Sequence, residues 1–158
     1  MGKRTLFLLS GMFAALCCGA AQGGPLQKKT VSLEDARKAT AAAVAEAKKN
    51  SWYMAIAVVD EGGNLVHFER MDETQIGSAD IAIGKARTAV MFKRPTKALE
   101  DALNAGQHAI LSFPNTLPRD GGLPLYADGK VIGGIGVSGA KSSEDAQVAK
   151  AGADALTK

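Results

Sequence analysis

Two histidines, one glycine-rich run and a handful of charges are the residues of this chain that could do chemistry. His67 and His108 are the only histidines. An imidazole can ligate haem iron or form part of a zinc site, but this spacing fits no zinc motif. A surface or hydrogen-bonded structural histidine is the plain alternative for each. His108 falls where a short helix gives way to an irregular loop, whereas His67 falls inside a strand. Gly134-Ile135-Gly136-Val137-Ser138-Gly139 matches GxGxxG after a strand and before a helix, a pattern that can seat a pyrophosphate. A dinucleotide fold needs a further strand with an acidic residue about 20 positions on. The short remainder of the chain reads as a single helix, so nucleotide binding is disfavoured.

The pleat offers another use for those glycines. Ile132, Gly134, Gly136 and Ser138 fall on one face of the strand, and Val131, Gly133, Ile135 and Val137 on the other. A bare glycine face lets a helix, a neighbouring subunit or a flat ligand approach closely. Asp60, Arg70, Asp72, Lys85 and Arg87 are the charges nearest this region. Lys85 interrupts an apolar helix, and its stem can cover apolar surface while its head reaches an anion. A solvated helix face is the plain reading. No Ser/His/Asp arrangement and no paired carboxylates are present. Met54, Met71 and Met91 read as core or pocket lining.

The elements that position these residues follow from periodicity and caps. Helix one is expected from Leu33 to Lys49, capped by Ser32, with Glu34 and Asp35 in its first turn. Trp52–Val59 reads as a strand apolar on both faces, which requires helices on both sides of the sheet. Asp60-Glu61-Gly62-Gly63-Asn64 turns the chain into a second, more polar strand, Leu65–Met71. A long helix follows from Gly77 to Lys93, with Ser78 as a cap and Ile76, Ala79, Ile83, Ala86 and Val90 as its buried stripe, which Ala82 and Ala89 widen. Pro95 breaks it, and Thr96 is expected to cap a short helix from Lys97 to Asn104. Gly106 to Leu123 reads as irregular. Leu123–Ala127 and Lys130–Val137 form a hairpin around Asp128-Gly129. The last helix starts at Ser142 or Ser143, with Ala146, Ala149, Ala153 and Leu156 inward.

The N-terminus reads as an export signal over residues 1–21. Lys3 and Arg4 precede an apolar run from Thr5 to Leu16, and small residues Gly19, Ala20 and Ala21 follow. The run is short for a membrane span of roughly 20 residues, so no stable insertion is expected after cleavage. A lipoprotein reading of Cys17 and Cys18 is disfavoured by Ala15, where leucine is usual. Cleavage removes both cysteines, and with them any disulfide or thiolate site. Lys3 and Arg4 are two of the 19 basic residues, so 17 remain against 16 acidic ones. That balance gives no footing for nucleic acid. Residues 22–31 then read as a flexible leader and 32–158 as one domain of periplasmic or secreted character.

The motifs MAIAVVDEGGNLVHFERMD (Met54–Asp72), GSADIAIGKARTAVMFKRPT (Gly77–Thr96), GGLPLYADGKVIGGIGVSGA (Gly121–Ala140) and EDAQVAKAGADAL (Glu144–Leu156) resemble the GlcG/HbpS family. The C-terminal domain of PduO-type cobalamin adenosyltransferases is similar as well. The resemblance implies an α+β fold, a mostly antiparallel sheet flanked by helices on both faces and profilin-like in outline, which assembles into homo-oligomers. It implies haem or a related tetrapyrrole as ligand and places family motif positions at Asp60, Arg70, Met71, Lys85, Thr88, Thr96, Gly121, Gly122, Gly136 and Ser138. Arg70, Met71, Lys85, Thr88, Thr96, Gly122 and Gly136 are taken as cofactor-binding candidates. His108 and His67 are taken as iron ligands ahead of Thr96, since haem ligands are most often His, Cys, Met or Tyr. The leading expectation is an exported haem-binding protein without turnover of its own, with Arg70 or Lys85 pairing a propionate. Its alternatives are an enzyme or accessory factor for a small hydroxy acid or carbonyl compound, in which Asp60 could move a proton, and an oligomeric docking partner.

Overall fold

A computed structural model describes Gly2 and residues 24–157, so the expected signal segment, Gly2 apart, lies outside the described residues. The elements run α1 (Leu33–Lys49), β1 (Ala55–Asp60), β2 (Leu65–Arg70), α2 (Ser78–Phe92), α3 (Lys97–Asn104), a 3-10 turn (His108–Ser112), β3 (Gly122–Ala127), β4 (Lys130–Ser138) and α4 (Ser142–Asp154). The four strands form one sheet in the order β2-β1-β4-β3, and every pairing is antiparallel. This is the expected α+β class. Among the described residues, no helix is long and apolar enough to cross a membrane.

β1 is buried on both faces because it lies in the middle of the sheet with helices above and below. On one side, Ile56 and Val58 join Ile135, Val137 and residues of α1 and α4 in the larger apolar core. On the other, Ala55, Ala57 and Val59 meet Ala82, Ala86 and Val90 of α2. The strand starts later than its apolar pattern indicates. The Trp52 amide still donates to the Ala47 carbonyl, which closes the end of α1, and Tyr53 is exposed.

Two bulges alter the faces read from simple alternation. Leu125 and Tyr126 are consecutive, but their partners Gly133 and Val131 are not, so β4 carries Ile132 as an extra residue. Ile132 therefore leaves the glycine face and packs with the α1/α4 core. A similar slip in β2, where Val58 faces His67 and Val59 faces Leu65, makes Val66 the extra residue.

Ser32 caps α1 as expected. Its Oγ accepts the Asp35 amide at 3.0 Å. Ser32→Ala should lower stability by about 1 kcal/mol in urea unfolding, the usual effect of losing such a cap. Thr96 and Ser78 are different: neither makes a capping bond. Ser78 is already inside α2 and buried. Ala86 and Val90 of the expected α2 stripe are buried, as are Ala82 and Ala89 beside it, whereas Ala79 and Ile83 are half-buried and Ile76 is exposed; Ser78, Lys85 and Thr88 are buried in addition. Val31, assigned to the leader by its sequence, is buried in the core with its amide bonded to the Ile132 carbonyl.

Candidate functional site

Lys85 is the feature that organises the first of two concavities. It is not on a solvated face: its side chain is 1% exposed. α2 covers one side of the sheet and α4 the other, and Lys85 reaches past the end of β4 to join them. Its Nζ donates to Asp145 Oδ2 at 2.6 Å and to the Val137 carbonyl at 2.9 Å. Asp145 Oδ1 in turn accepts the Ala140 amide at 3.1 Å. Burial pushes the Lys85 pKa down while the adjacent Asp145 charge opposes the shift. Burial likewise raises the Asp145 pKa against the pull of Lys85.

The glycine pair at the start of β3 makes room for this bridge. A Cβ on Gly121 would lie 2.8 Å from Asp145 Cβ and 2.9 Å from Lys85 Nζ, and its φ of +108° is itself unfavourable for other residues. A Cβ on Gly122 would lie 2.5 Å from the Lys85 carbonyl oxygen and 2.6 Å from Thr96 Cγ2. Thr96 is fully buried, and its Oγ1 accepts the Gly122 amide at 2.9 Å. Thr88 is fully buried as well: it donates to the Gly84 carbonyl and accepts the Leu117 amide, both at 2.8 Å. Thr88 thereby pins the loop over α2. The resulting cleft of about 430 Å³ has Lys85 and Asp145 at its base and Ser138, Ser142, Gln75 and Arg119 among its walls.

The second concavity lies at the opposite end of the sheet, between the leader, the α2 C-terminus and the β3–β4 hairpin. It encloses about 800 Å³ and is lined by Leu26, Val90 and Val131, by Lys28, Lys29, Lys93 and Lys130, and by Tyr126 and Glu61. Lys29 pairs with Asp128, which ties the leader to the hairpin.

The structure thus gathers Lys85, Thr96, Gly121 and Gly122 into one cluster, with Thr88 and Ser138 adjoining. Gly136 packs directly under α2, so of the three occupants open to the glycine face the helix takes it. Arg70 is exposed at the end of edge strand β2, and Met71 packs at the margin of the α1/α4 core. Asp60 accepts the amides of Gly62 and Asn64 at 2.9 and 2.8 Å and is consumed by its turn. His67 pairs with Val58 and shares the α1/α4 face, whereas His108 is exposed beyond α3. Neither histidine lines either concavity. Among the described residues no three His, Cys, Asp or Glu side chains gather as a metal site.

Asp145 went unnoticed in the sequence. Its signal was there: Asp145, Val148, Ala149 and Gly152 form the buried i, i+3, i+4, i+7 row of α4, and an acid in such a row requires a partner.

A four-stranded antiparallel sheet with α2 on one face, α1 and α4 on the other, and a lysine–aspartate bridge beyond its central strand defines an α+β domain covered by helices on both sides of its sheet. The chain belongs to the HbpS-like family, whose model, described as haem degrading protein HbpS-like, matches residues 31–154. It is 43% identical to protein GlcG of Escherichia coli K12 over 111 residues, which is 70% of this chain and 83% of that protein. The fold is similar to the crystal structure of a double mutant of HbpS from Streptomyces reticuli, with a TM-score of 0.80 and 40% identity over 88% of this chain and 96% of that one. It is also similar to the PduOC–haem complex, with a TM-score of 0.74 and 29% identity over 81% of this chain and 96% of that one.

Proposed function

We propose that this is an exported haem-binding protein that carries the macrocycle without turning it over and works as a homo-oligomer. The observation that carries the reading is the shared fold with a domain solved in complex with haem. The cleft above Lys85 is a poor fit, because Lys85 is already neutralised by Asp145, which leaves Arg119 as its one cation for two propionates, and no His, Cys, Met or Tyr lines it. The larger groove is no better a fit: its aliphatic lining is Leu26, Val90 and Val131 alone, and four lysines, Gln27, Tyr126 and the unpartnered Glu61 make up most of the rest. Haem, when bound, supplies a redox-active iron and an apolar plane.

Export rests on Lys3, Arg4, the apolar run from Thr5 to Leu16 and the small residues before Gln22. Self-association is supported by exposed apolar side chains: Ile76, Ile81 and Met91 on or just before α2, Leu111 in the 3-10 turn, and Phe113 after it, stacked on Phe92 of α2. The hydroxy-acid reading has less support, since Arg70 and Asp60 are not brought to the cleft that holds Lys85.

Titrating the signal-free protein with haem should give a saturable Soret shift at a simple ratio, with elution unchanged in size-exclusion chromatography. Adding reductant and oxygen should leave the Soret band intact. Non-saturating absorbance would overturn the binding role, and progressive bleaching would overturn the absence of turnover.

A further inference from the structure

We infer that the cleft above Lys85 is a ligand site in its own right, which takes a small aliphatic monocarboxylate on the hydroxyls of Ser78 and Ser138 and the guanidinium of Arg119. It stands apart from the haem reading. Three features of the cleft call for such an occupant.

The first is a surplus of donors. Ser78 is 3% exposed and Ser138 6%. Both line the cleft, and among the described residues neither hydroxyl makes a hydrogen bond. The acceptors nearby are already spent. Asp145 Oδ2 takes Lys85 and its Oδ1 takes the Ala140 amide, while the Val137 carbonyl takes a second Lys85 proton. An ammonium carries three donors, so one of Lys85's remains. Buried polar groups without partners are costly, and an occupant rich in acceptors supplies what all of these lack.

The second is the size of the charge. Lys85 and Asp145 cancel, which leaves Arg119 as the cation of the wall. Arg119 lies 3.9 Å from Glu100, a contact long enough to leave its fork open for a planar carboxylate. Ser78 and Ser142 are the first residues of α2 and α4, so the positive ends of two helix dipoles also meet here. Asp80 and Glu144 in the first turns offset those dipoles in part. The balance suits a single negative charge better than a phosphate dianion.

The third is a fixed apolar wall formed by Ile81, Leu117 and Pro118. Leu117 is held in place from two sides. Its amide donates to Thr88 Oγ1 at 2.8 Å, and its side chain lies against Gly84, where a Cβ would come within 3.2 Å of Leu117 Cδ1. The volume of about 430 Å³ is at the small end for organic ligands. A short alkyl chain would lie on this wall with its carboxylate at the serines.

The test is calorimetric titration of the signal-free full domain with butanoate, acetate, butanamide and inorganic phosphate. Butanoate should bind saturably and about tenfold tighter than acetate, the effect of burying two more methylene groups. Butanamide, which keeps the shape but not the charge, and phosphate should each bind at least about tenfold more weakly than butanoate. Ser78→Ala, Ser138→Ala and Arg119→Gln should each weaken butanoate about tenfold. Without ligand, the two serine variants should melt at the parent's temperature or above it, because the hydroxyls they lose have no partner in the protein. A clear fall in melting temperature would reveal such a partner and overturn the donor surplus. Non-saturating butanoate binding, or parental affinity in all three variants, overturns the site. Tighter binding of phosphate than of butanoate overturns the carboxylate, and equal affinity for acetate and butanoate overturns the placement of the chain on Leu117 and Pro118. Haem titration of the same variants should match the parent's; a loss of haem binding alongside butanoate would overturn the separation of the two ligands.

Discussion

Lys85→Met and Asp145→Leu should each cost about 3–5 kcal/mol of stability, while the double substitution should recover most of that loss. The expected outcome follows from burial. Lys85 and Asp145 are both nearly inaccessible, and each has the other as its counter-ion. Removing one leaves the other desolvated and unpaired, a state that water cannot relieve. Removing both replaces a costly pair with apolar volume between α2 and α4. A native domain is stable by only about 5–15 kcal/mol, so either single variant sits near the threshold of folding.

The pH dependence separates this account from simple loss of packing. In Asp145→Asn the Lys85 ammonium loses the charge that opposes its downward shift, so its folded pKa falls further. The unfolded chain keeps its proton up to the ordinary lysine value of 10.5. Between the folded and unfolded pKa values the unfolded state binds more protons, so stability must rise with pH across that window. Urea unfolding of Asp145→Asn from neutral pH to about pH 10 should therefore show increasing stability relative to the parent. A flat difference would mean that the bridge is not what the substitution removes.

Local rules carried much of the fold. Ser32 with the acids of the first turn located α1, Asp128-Gly129 located the β3–β4 hairpin, and Pro95 separated α2 from α3 at the right place. The apolar run of β1 required cover on both sides, and both covers are present. Site residues were less legible, because their meaning depends on what faces them. Lys85 was visible as a charge in an apolar helix, but its partner lies sixty residues away on a helix that covers the other face of the sheet. Ile132 changed faces because alternation carries no sign of a bulge. Thr96 has the sequence context of a cap, yet its hydroxyl is spent on Gly122, a contact set by where β3 begins. The groove depends on the leader lying beside the hairpin, a long-range arrangement that no periodicity encodes.

Gly136→Val should be the most damaging single change outside the bridge, with a loss of about 4 kcal/mol or more and little soluble protein. Gly136 pairs with Ala57 on one side and Gly122 on the other, so its strand is held in register by both neighbours. Above it runs α2, and a Cβ there would intrude deeply on the Ala82 carbonyl and the Ala86 amide, with Ala86 Cα at 3.1 Å. Those obstacles are helix backbone rather than side-chain ends, so no rotamer change relieves them. The helix would have to lift off the sheet and take Lys85 out of reach of Asp145. Even Gly136→Ala should be strongly destabilising for that reason. Gly77→Ala provides the contrast, because a Cβ at Gly77 meets nothing within 4 Å. Thermal unfolding of the three variants should show Gly77→Ala close to the parent, Gly136→Ala far below it and Gly136→Val unfolded or insoluble. Parent-like stability of Gly136→Ala would mean that α2 does not lie against this strand, and the cleft built on their contact would lose its basis.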